Sequence, residues 1–227
     1  MNHTVAIIQA RMNSTRLPGK ILLNLGDKTV LDHVHARVCL SDHVDRIVIA
    51  ITDSAEDDPL HQHCLDKGYE VFRGSEYDVL GRFYHCAIEY KATRVVRITA
   101  DCPLIDASLI DELLELQCSD DLDYASNTIP PSYPDGLDVE VFLFPELERA
   151  FIEATSNYDR EHVTPFIKNK LSIKKANLQN QVDYSHLRWT IDEMSDYLFL
   201  KSLFRLNLKG HENWISILSL FINNEEK

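Results

Sequence analysis

Three cations and two hydroxyls crowd into one short stretch, Gln9-Ala10-Arg11-Met12-Asn13-Ser14-Thr15-Arg16-Leu17-Pro18-Gly19-Lys20, of a chain whose formal net charge is −13. Local positive charge on an acidic background suits an anion. Arginine grips two phosphate oxygens at once, while lysine supplies a point charge. The stretch is not a Walker loop, because Gly19-Lys20 is followed by Ile21 and the earlier glycine is missing; nor is it GxGxxG. With glycine only at Gly19, the backbone has little freedom to wrap a phosphate. Arg11, Ser14, Arg16 and Lys20 must then make most of the contact through their side chains.

Carboxylates near such a loop would bring a metal. Residues 94–99 read as a strand running straight into Asp101-Cys102-Pro103, which sets Asp101 at the carboxyl edge of a sheet. Mg2+ is held by one or two carboxylates, with water and phosphate oxygens completing its octahedron, so Asp101 can begin a site. Capping the helix that starts near Ser108 is its other use. Asp192 follows a second strand end, where an N-cap is an equally ordinary role. Asp121-Leu122-Asp123 spells DxD, but it lies in an acidic run between a helix and a strand that a solvated turn accounts for.

Other side chains offer hydrogen bonds to an acceptor. Asp138 and Glu140 lie two apart in an extended segment and so share a face, with Asp135-Gly136 as the turn before them. Arg160, Glu161 and His162 open a segment suited to acceptor binding, a helix start or a dimer contact. Arg73, Ser75 and Arg82 can reach a base, a ribose or an acceptor, or form surface salt bridges. His61 and His63 have no HExxH pattern and no third ligand nearby, which makes them solvent-facing positions on a helix. No Ser-His-Asp or Cys-His arrangement can be drawn, and Cys102 before proline reads as a buried thiol.

The elements that position these residues follow from hydrophobic rhythm. Strands are expected over residues 5–8, 46–52, 70–72 and 94–99, with helices over 30–40, 56–67 and 79–90 between them. That alternation predicts an α/β fold: a Rossmann-like, mostly parallel mixed sheet flanked by helices. In such sheets, ligands sit beyond the carboxyl ends of the strands, and the loop after the first strand is a habitual phosphate site. After Asp101 a helix is expected over 108–117, a short strand over 123–126, and a Pro-rich turn over 129–136. A strand over 138–144, helices over 145–154 and 158–170, strands over 172–178 and 188–191, and helices over 195–208 and 214–222 complete the chain. No linker or repeat divides it, so residues 1–227 read as one domain, with a nucleotide-binding half to about residue 118 and an acceptor and dimerisation half after it.

Composition narrows the partners. At 227 residues and 44% hydrophobic content, the chain can bury a full core. A net charge of −13 argues against binding nucleic acid or an anionic membrane, which rely on Lys and Arg facing phosphates. Five cysteines without CxxC spacing suggest reduced thiols in a cytoplasmic protein, and neither a targeting signal nor a membrane span is expected.

The loop with Arg11, Ser14, Arg16, Pro18 and Lys20 matches the spacing R-x-x-S-x-R-x-P-x-K of the CMP-sugar acid synthetases, and most closely resembles the spore coat polysaccharide biosynthesis protein SpsF family. Phe72-Arg73-Gly74-Ser75 with Asp78-Val79-Leu80 and Arg82, Ala100-Asp101-Cys102-Pro103-Leu104, residues 135–140, residues 160–165 and Arg188-Trp189-Thr190-Ile191-Asp192 are similar to the same family, so the likeness covers nearly the whole chain. It implies a nucleotide-diphospho-sugar transferase (GT-A-like) fold, related to the CMP-KDO and acylneuraminate cytidylyltransferases. It also implies CTP as donor, Mg2+ as cofactor on Asp101 and Asp192, and a homodimer. In that reading Arg11, Lys20 and Asp101 are catalytic, while Arg11, Ser14, Arg16, Lys20, Arg73, Ser75 and Arg82 serve the nucleotide. Asp135, Asp138, Glu140 and Arg160 then serve a sugar-like acceptor in surface polysaccharide synthesis. The rival readings are a transferase of the same fold that uses a finished nucleotide-sugar through DxD, and a catalytically silent nucleotide-binding protein.

Overall fold

The computed structural model describes residues 3–205, 208 and 212–225. Its first half is a run of parallel βα units: β1 (Thr4–Gln9), a 3-10 turn at Lys20–Leu22, a small hairpin of β2 (Asn24–Leu25) and β3 (Lys28–Thr29), α1 (Val30–Val38), β4 (Arg46–Thr52), α2 (Asp58–Lys67), β5 (Glu70–Gly74), α3 (Val79–Glu89) and β6 (Arg94–Thr99). The second half contributes α4 (Ala107–Ser119), β7 (Tyr124–Ser126), β8 (Glu140–Leu143), α5 (Phe144–Glu153), α6 (Asn157–His162), α7 (Pro165–Asn169), β9 (Lys175–Asn177), α8 (Met194–Phe204) and α9 (Trp214–Glu225).

One seven-stranded sheet, in the order β5-β4-β1-β6-β8-β7-β9, takes strands from both halves. The pairs β5-β4, β4-β1 and β1-β6 are parallel, β8 runs antiparallel to both β6 and β7, and β9 lies parallel to β7. The mixed, mostly parallel sheet expected from the sequence is therefore present. Its central strands are apolar on both faces, as helices on both sides require. Ala6, Ile8, Ile49, Ile51, Val96 and Ile98 face a core shared with α1, α2 and α4. Val5, Ile7, Val48, Ala50 and Val95 face the opposite core, built with α3, α5 and α7. A third cluster joins Leu17, Leu25, Leu104 and Trp189 to α8 and α9, so the end of the chain packs beside the first loop.

Four expected elements differ. The helix anticipated over 158–170 is two short helices, because Val163 takes φ 68° and Pro165 starts afresh as the first residue of α7. The strand anticipated over 188–191 is a single bridge between Asp135 and Arg188, since Ile191 N–H instead donates to the Asp101 carbonyl at 2.9 Å. Strand β9, Lys175–Asn177, is shorter than the strand expected over 172–178. The helix expected over 195–208 ends at Phe204, and its positions 206 and 207 lie outside the described residues.

Candidate active site

Strands β1 and β6 run side by side and end together, with Gln9 opposite Thr99, so the loops that follow them share one side of the sheet. The first loop is tied down before any ligand arrives. Met12 N–H donates to Asp57 Oδ1 at 2.7 Å, and Asp57 Oδ2 accepts from the Thr52 N–H and hydroxyl at the end of β4. The Met12 carbonyl accepts from both Ser14 and Gly19, closing the loop on itself. Gly19 takes φ 71°, a left-handed turn that costs a glycine little, and delivers Lys20 into its 3-10 turn. Asp57 and Thr52 were missed in the sequence reading; the signal was an Asp standing just before the Asp58-Pro59 helix start.

The result is a cleft of about 230 Å³ lined on one wall by Arg11, Ser14, Thr15, Arg16 and Lys20, and on the other by Thr99, Asp101 and Asp192. Arg11 is exposed and, like the Ser14 hydroxyl, makes no hydrogen bond or ion pair among the described residues. Lys20 has a different position: it is buried, and its Nζ donates to Asp101 Oδ2 at 2.6 Å, Asp192 Oδ1 at 3.0 Å and the Ile191 carbonyl at 2.6 Å. Burial works against its charge, but Asp101 and Asp192 outweigh it and hold the ammonium above its ordinary pKa. Arg16 Nη2 reaches Asp192 Oδ1 at 2.9 Å, and Arg188 Nη2 reaches Asp192 Oδ2 at 2.6 Å. Burial alone would raise Asp192; Lys20, Arg188 and Arg16 together pull it below the usual carboxylate range.

Arg188 is a third residue the sequence reading left without a role. Besides Asp192, it holds Asp135 Oδ2 at 2.9 Å and Asp196 Oδ1 at 3.1 Å, and these carboxylates raise its already high pKa. Gly136 makes this clasp possible: at φ 111° it lies so close to the 189–190 backbone that an added Cβ would sit 2.7 Å from the Trp189 carbonyl carbon. That close approach lets one Arg188 guanidinium reach both Asp135 and Asp192.

A second, smaller cleft of about 160 Å³ opens beside the first, and Thr99 lines both. Its other walls are Arg97, Thr128, Asp138, Glu140 and Lys168. Arg97 and Glu140 are register partners on β6 and β8, and Arg97 Nη1 donates to Glu140 Oε2 at 2.6 Å. Glu140 Oε1 accepts from the Tyr124 hydroxyl at 2.6 Å and Lys168 Nζ at 3.3 Å. Burial presses its pKa upward, but Arg97, Lys168 and Tyr124 prevail and keep it below the ordinary value. Polar residues at Arg97 and Thr99, two apart on a central strand, were the sequence signal for this cleft.

The remaining candidates are placed elsewhere. Arg73 donates to the Thr52 and Ser54 carbonyls and pairs with Asp58 at 2.7 Å; Ser75 Oγ accepts from the Asp78 N–H. Arg82 is buried behind the first loop, donating to the Ser75 carbonyl at 2.8 Å, and burial with the Arg11 charge nearby pushes it down to about 10. None of the three lines the cleft. Arg160 bonds to Asp78 and the Phe151 carbonyl, docking α6 on α3 and α5. His63 is not solvent-facing as expected: its Nε2 meets the buried Asp32 Oδ1 at 2.9 Å. Asp121 is exposed and paired with Lys174, and Asp123 accepts from the Lys174 N–H, so DxD is a surface turn. Cys102 is buried with its thiol pKa raised by that burial. No group of three or more His, Cys, Asp or Glu is gathered for a metal among the described residues, and no described helix is long and apolar enough to cross a membrane.

Comparison with known proteins agrees with this geometry. The chain is 35% identical over 212 residues to the spore coat polysaccharide biosynthesis protein SpsF of Bacillus subtilis, covering 90% of this chain and 88% of that one. A solved cytidylyltransferase from Leptospira borgpetersenii superposes with a TM-score of 0.95 at 31% identity, over 100% of this chain and 96% of that one. CMP:2-keto-3-deoxy-manno-octonic acid synthetase, solved with CTP, shares the fold at a TM-score of 0.72 and 17% identity, over 91% of this chain and 100% of that one. The model of the cytidylyltransferase family matches residues 5–208. This chain belongs to the cytidylyltransferase family.

Proposed function

We propose that this protein transfers CMP from CTP to a small sugar acid or a related hydroxylated acceptor, releasing pyrophosphate, with Mg2+ as cofactor. One observation carries the reading: Arg11 and Ser14, whose side chains make no hydrogen bond or ion pair among the described residues, face Asp101 and Asp192 across a single cleft at the carboxyl ends of β1 and β6. The residues fit the metal, because Asp101 Oδ2 and Asp192 Oδ1 already converge on one cation, the Lys20 ammonium, and carboxylate oxygens suit a hard divalent ion. Mg2+ bound there would neutralise phosphate oxygens and lower the pKa of an attacking hydroxyl. Arg11, Ser14 and Arg16 receive the triphosphate, and its arrival offers Lys20 an anionic alternative to the two carboxylates. Attack in line on the α-phosphorus then expels pyrophosphate, with catalysis resting on position and charge neutralisation.

The choice of CTP rests on family membership and on the CTP-bound relative. Likeness to SpsF supports a product that feeds a surface polysaccharide; a cytoplasmic homodimer is part of the same proposal. The test is a matrix of each nucleoside triphosphate with Mg2+ against sugar acids and phosphorylated polyols, read by pyrophosphate release. Release that needs CTP, Mg2+ and one acceptor class is the expected result. No release under any combination contradicts the proposal, and free nucleotide released from a nucleotide-sugar would replace it with glycosyl transfer.

A further inference from the structure

Four carboxylates line the two clefts, and three of them have cationic partners: Asp101 has Lys20, Asp192 has Lys20, Arg16 and Arg188, and Glu140 has Arg97 and Lys168. Asp138 is the exception. It makes no side-chain hydrogen bond or ion pair among the described residues, although Arg97 and Lys168 line the same cleft. It is exposed to that cleft, and Thr99 continues the lining from it to the wall carrying Asp101. A carboxylate left open in a hydroxyl-lined cleft that shares Thr99 with the cleft of Arg11 and Asp101 is available to accept a proton from a group seated there.

We infer that the cleft of Arg97, Thr99, Thr128, Asp138, Glu140 and Lys168 seats the acceptor, and that Asp138 is the base that takes the proton from its attacking hydroxyl. The inference rests on the nucleotidyl-transfer reading and gives Asp138, which the resemblance placed with the acceptor, the further role of base. The acceptor O–H bond breaks as its oxygen bonds to the α-phosphorus, the proton passes to the Asp138 carboxylate, and the bridging P–O bond breaks with its electron pair leaving on pyrophosphate. Asp138 afterwards returns the proton to water. Thr99 and Thr128 offer hydroxyls to a polyol, and Arg97 and Lys168, fixed by Glu140, offer N–H donors.

The charges around Asp138 suit the role. Although water reaches the carboxyl through the cleft, the surrounding protein removes part of its hydration; this desolvation first, then the Asp135 and Glu140 charges, push it up to about 6, while Arg97 on β6 and Lys168 on α7 oppose the rise. Asp135 is itself raised by burial, opposed by Arg188, so it adds less negative charge to the neighbourhood at low pH. Cys102, from the loop after β6, also lies close, and its buried thiol stays protonated. A base with a pKa near the working pH combines availability with proton affinity.

The experiment compares the wild-type chain with Asp138→Asn, using CTP, Mg2+ and 3-deoxy-manno-octulosonate together with the rest of the acceptor panel. Turnover is followed across pH, and CTP affinity is measured by calorimetry on the same samples. Wild-type kcat should fall on the acid side of about 6. Asp138→Asn should lower kcat about a hundredfold and lose that acid limb, with CTP affinity unchanged. Asp138→Ser provides a second variant, with CTP binding reporting that each is folded. Wild-type kcat in both variants, a loss with the acid limb intact, or a loss confined to KM would overturn the assignment while leaving nucleotidyl transfer in place. A wild type that binds CTP but turns over no acceptor would instead remove the transfer reading, and the base with it.

Discussion

The two clefts that meet at Thr99 treat charge in opposite ways. In the larger one, Lys20, Arg16 and Arg188 neutralise Asp101 and Asp192, so the wall that would carry a metal is already organised around a cation, and the Arg11 and Ser14 side chains are left unengaged among the described residues. In the smaller one, Glu140 absorbs both cations and leaves Asp138 exposed, without a partner among the described residues. Paired charges hold a geometry in the absence of ligand; an unpaired carboxylate holds nothing and lowers stability. Carrying such a group is sensible only where activity needs it.

The sharpest way to break this comparison is to remove a carboxylate from the larger cleft. Asp101→Ala should lower Mg2+-dependent pyrophosphate release on the order of a thousandfold, because both charge neutralisation and position are lost. A folded variant with wild-type turnover would mean that the larger cleft is not where phosphorus chemistry occurs.

In the smaller cleft the same kind of change should act on stability. Glu140→Gln leaves Arg97 and Lys168 without their shared counter-charge at a buried position and should cost about 3 kcal/mol in denaturant unfolding. Asp138→Asn should do the reverse at neutral pH. The unfolded carboxyl ionises near 3.8 and the folded one only near 6, so wild-type stability falls as pH rises through that window. The Asn variant, lacking that ionisation, should therefore melt higher than wild type above pH 6 and show no such advantage below pH 3.8. A melting difference that does not change with pH would mean that Asp138 is solvated normally.

Smallest of all is the effect expected at the surface acidic turn. Asp121→Ala should leave both turnover and the melting curve unchanged, since the Asp121 side chain is exposed and among the described residues pairs with the exposed Lys174 alone. Loss of activity there would restore DxD as a metal motif.

How much of this was legible in the sequence differs between the same two regions. The larger cleft comes from two continuous stretches that follow apolar strands, so spacing alone brings Arg11, Ser14, Arg16 and Lys20 near Asp101. Composition did not reveal the division of labour, because whether a lysine meets phosphate or carboxylate depends on the return of Asp192 from far along the chain. The Ile191-to-Asp101 backbone bond that sets this return carries no side-chain signature. The smaller cleft is assembled from β6, the start of β8, a loop and α7, so its members never appear together in the sequence. Asp138 and Glu140 were recognised as sharing a face, but their different fates depend on the cross-strand register that places Arg97 against Glu140. Arg73, Ser75 and Arg82 lie outside the cleft lining for a related reason: a motif shows that residues occur together, not whether they face a ligand or brace the loop behind it.

The most direct test of nucleotidyl transfer follows the α-phosphorus itself. With CTP labelled at that atom, Mg2+ and an accepted sugar acid, label should move into a new ester with the acceptor while unlabelled pyrophosphate is released in equal amount. Label recovered only in CTP or free CMP would contradict it.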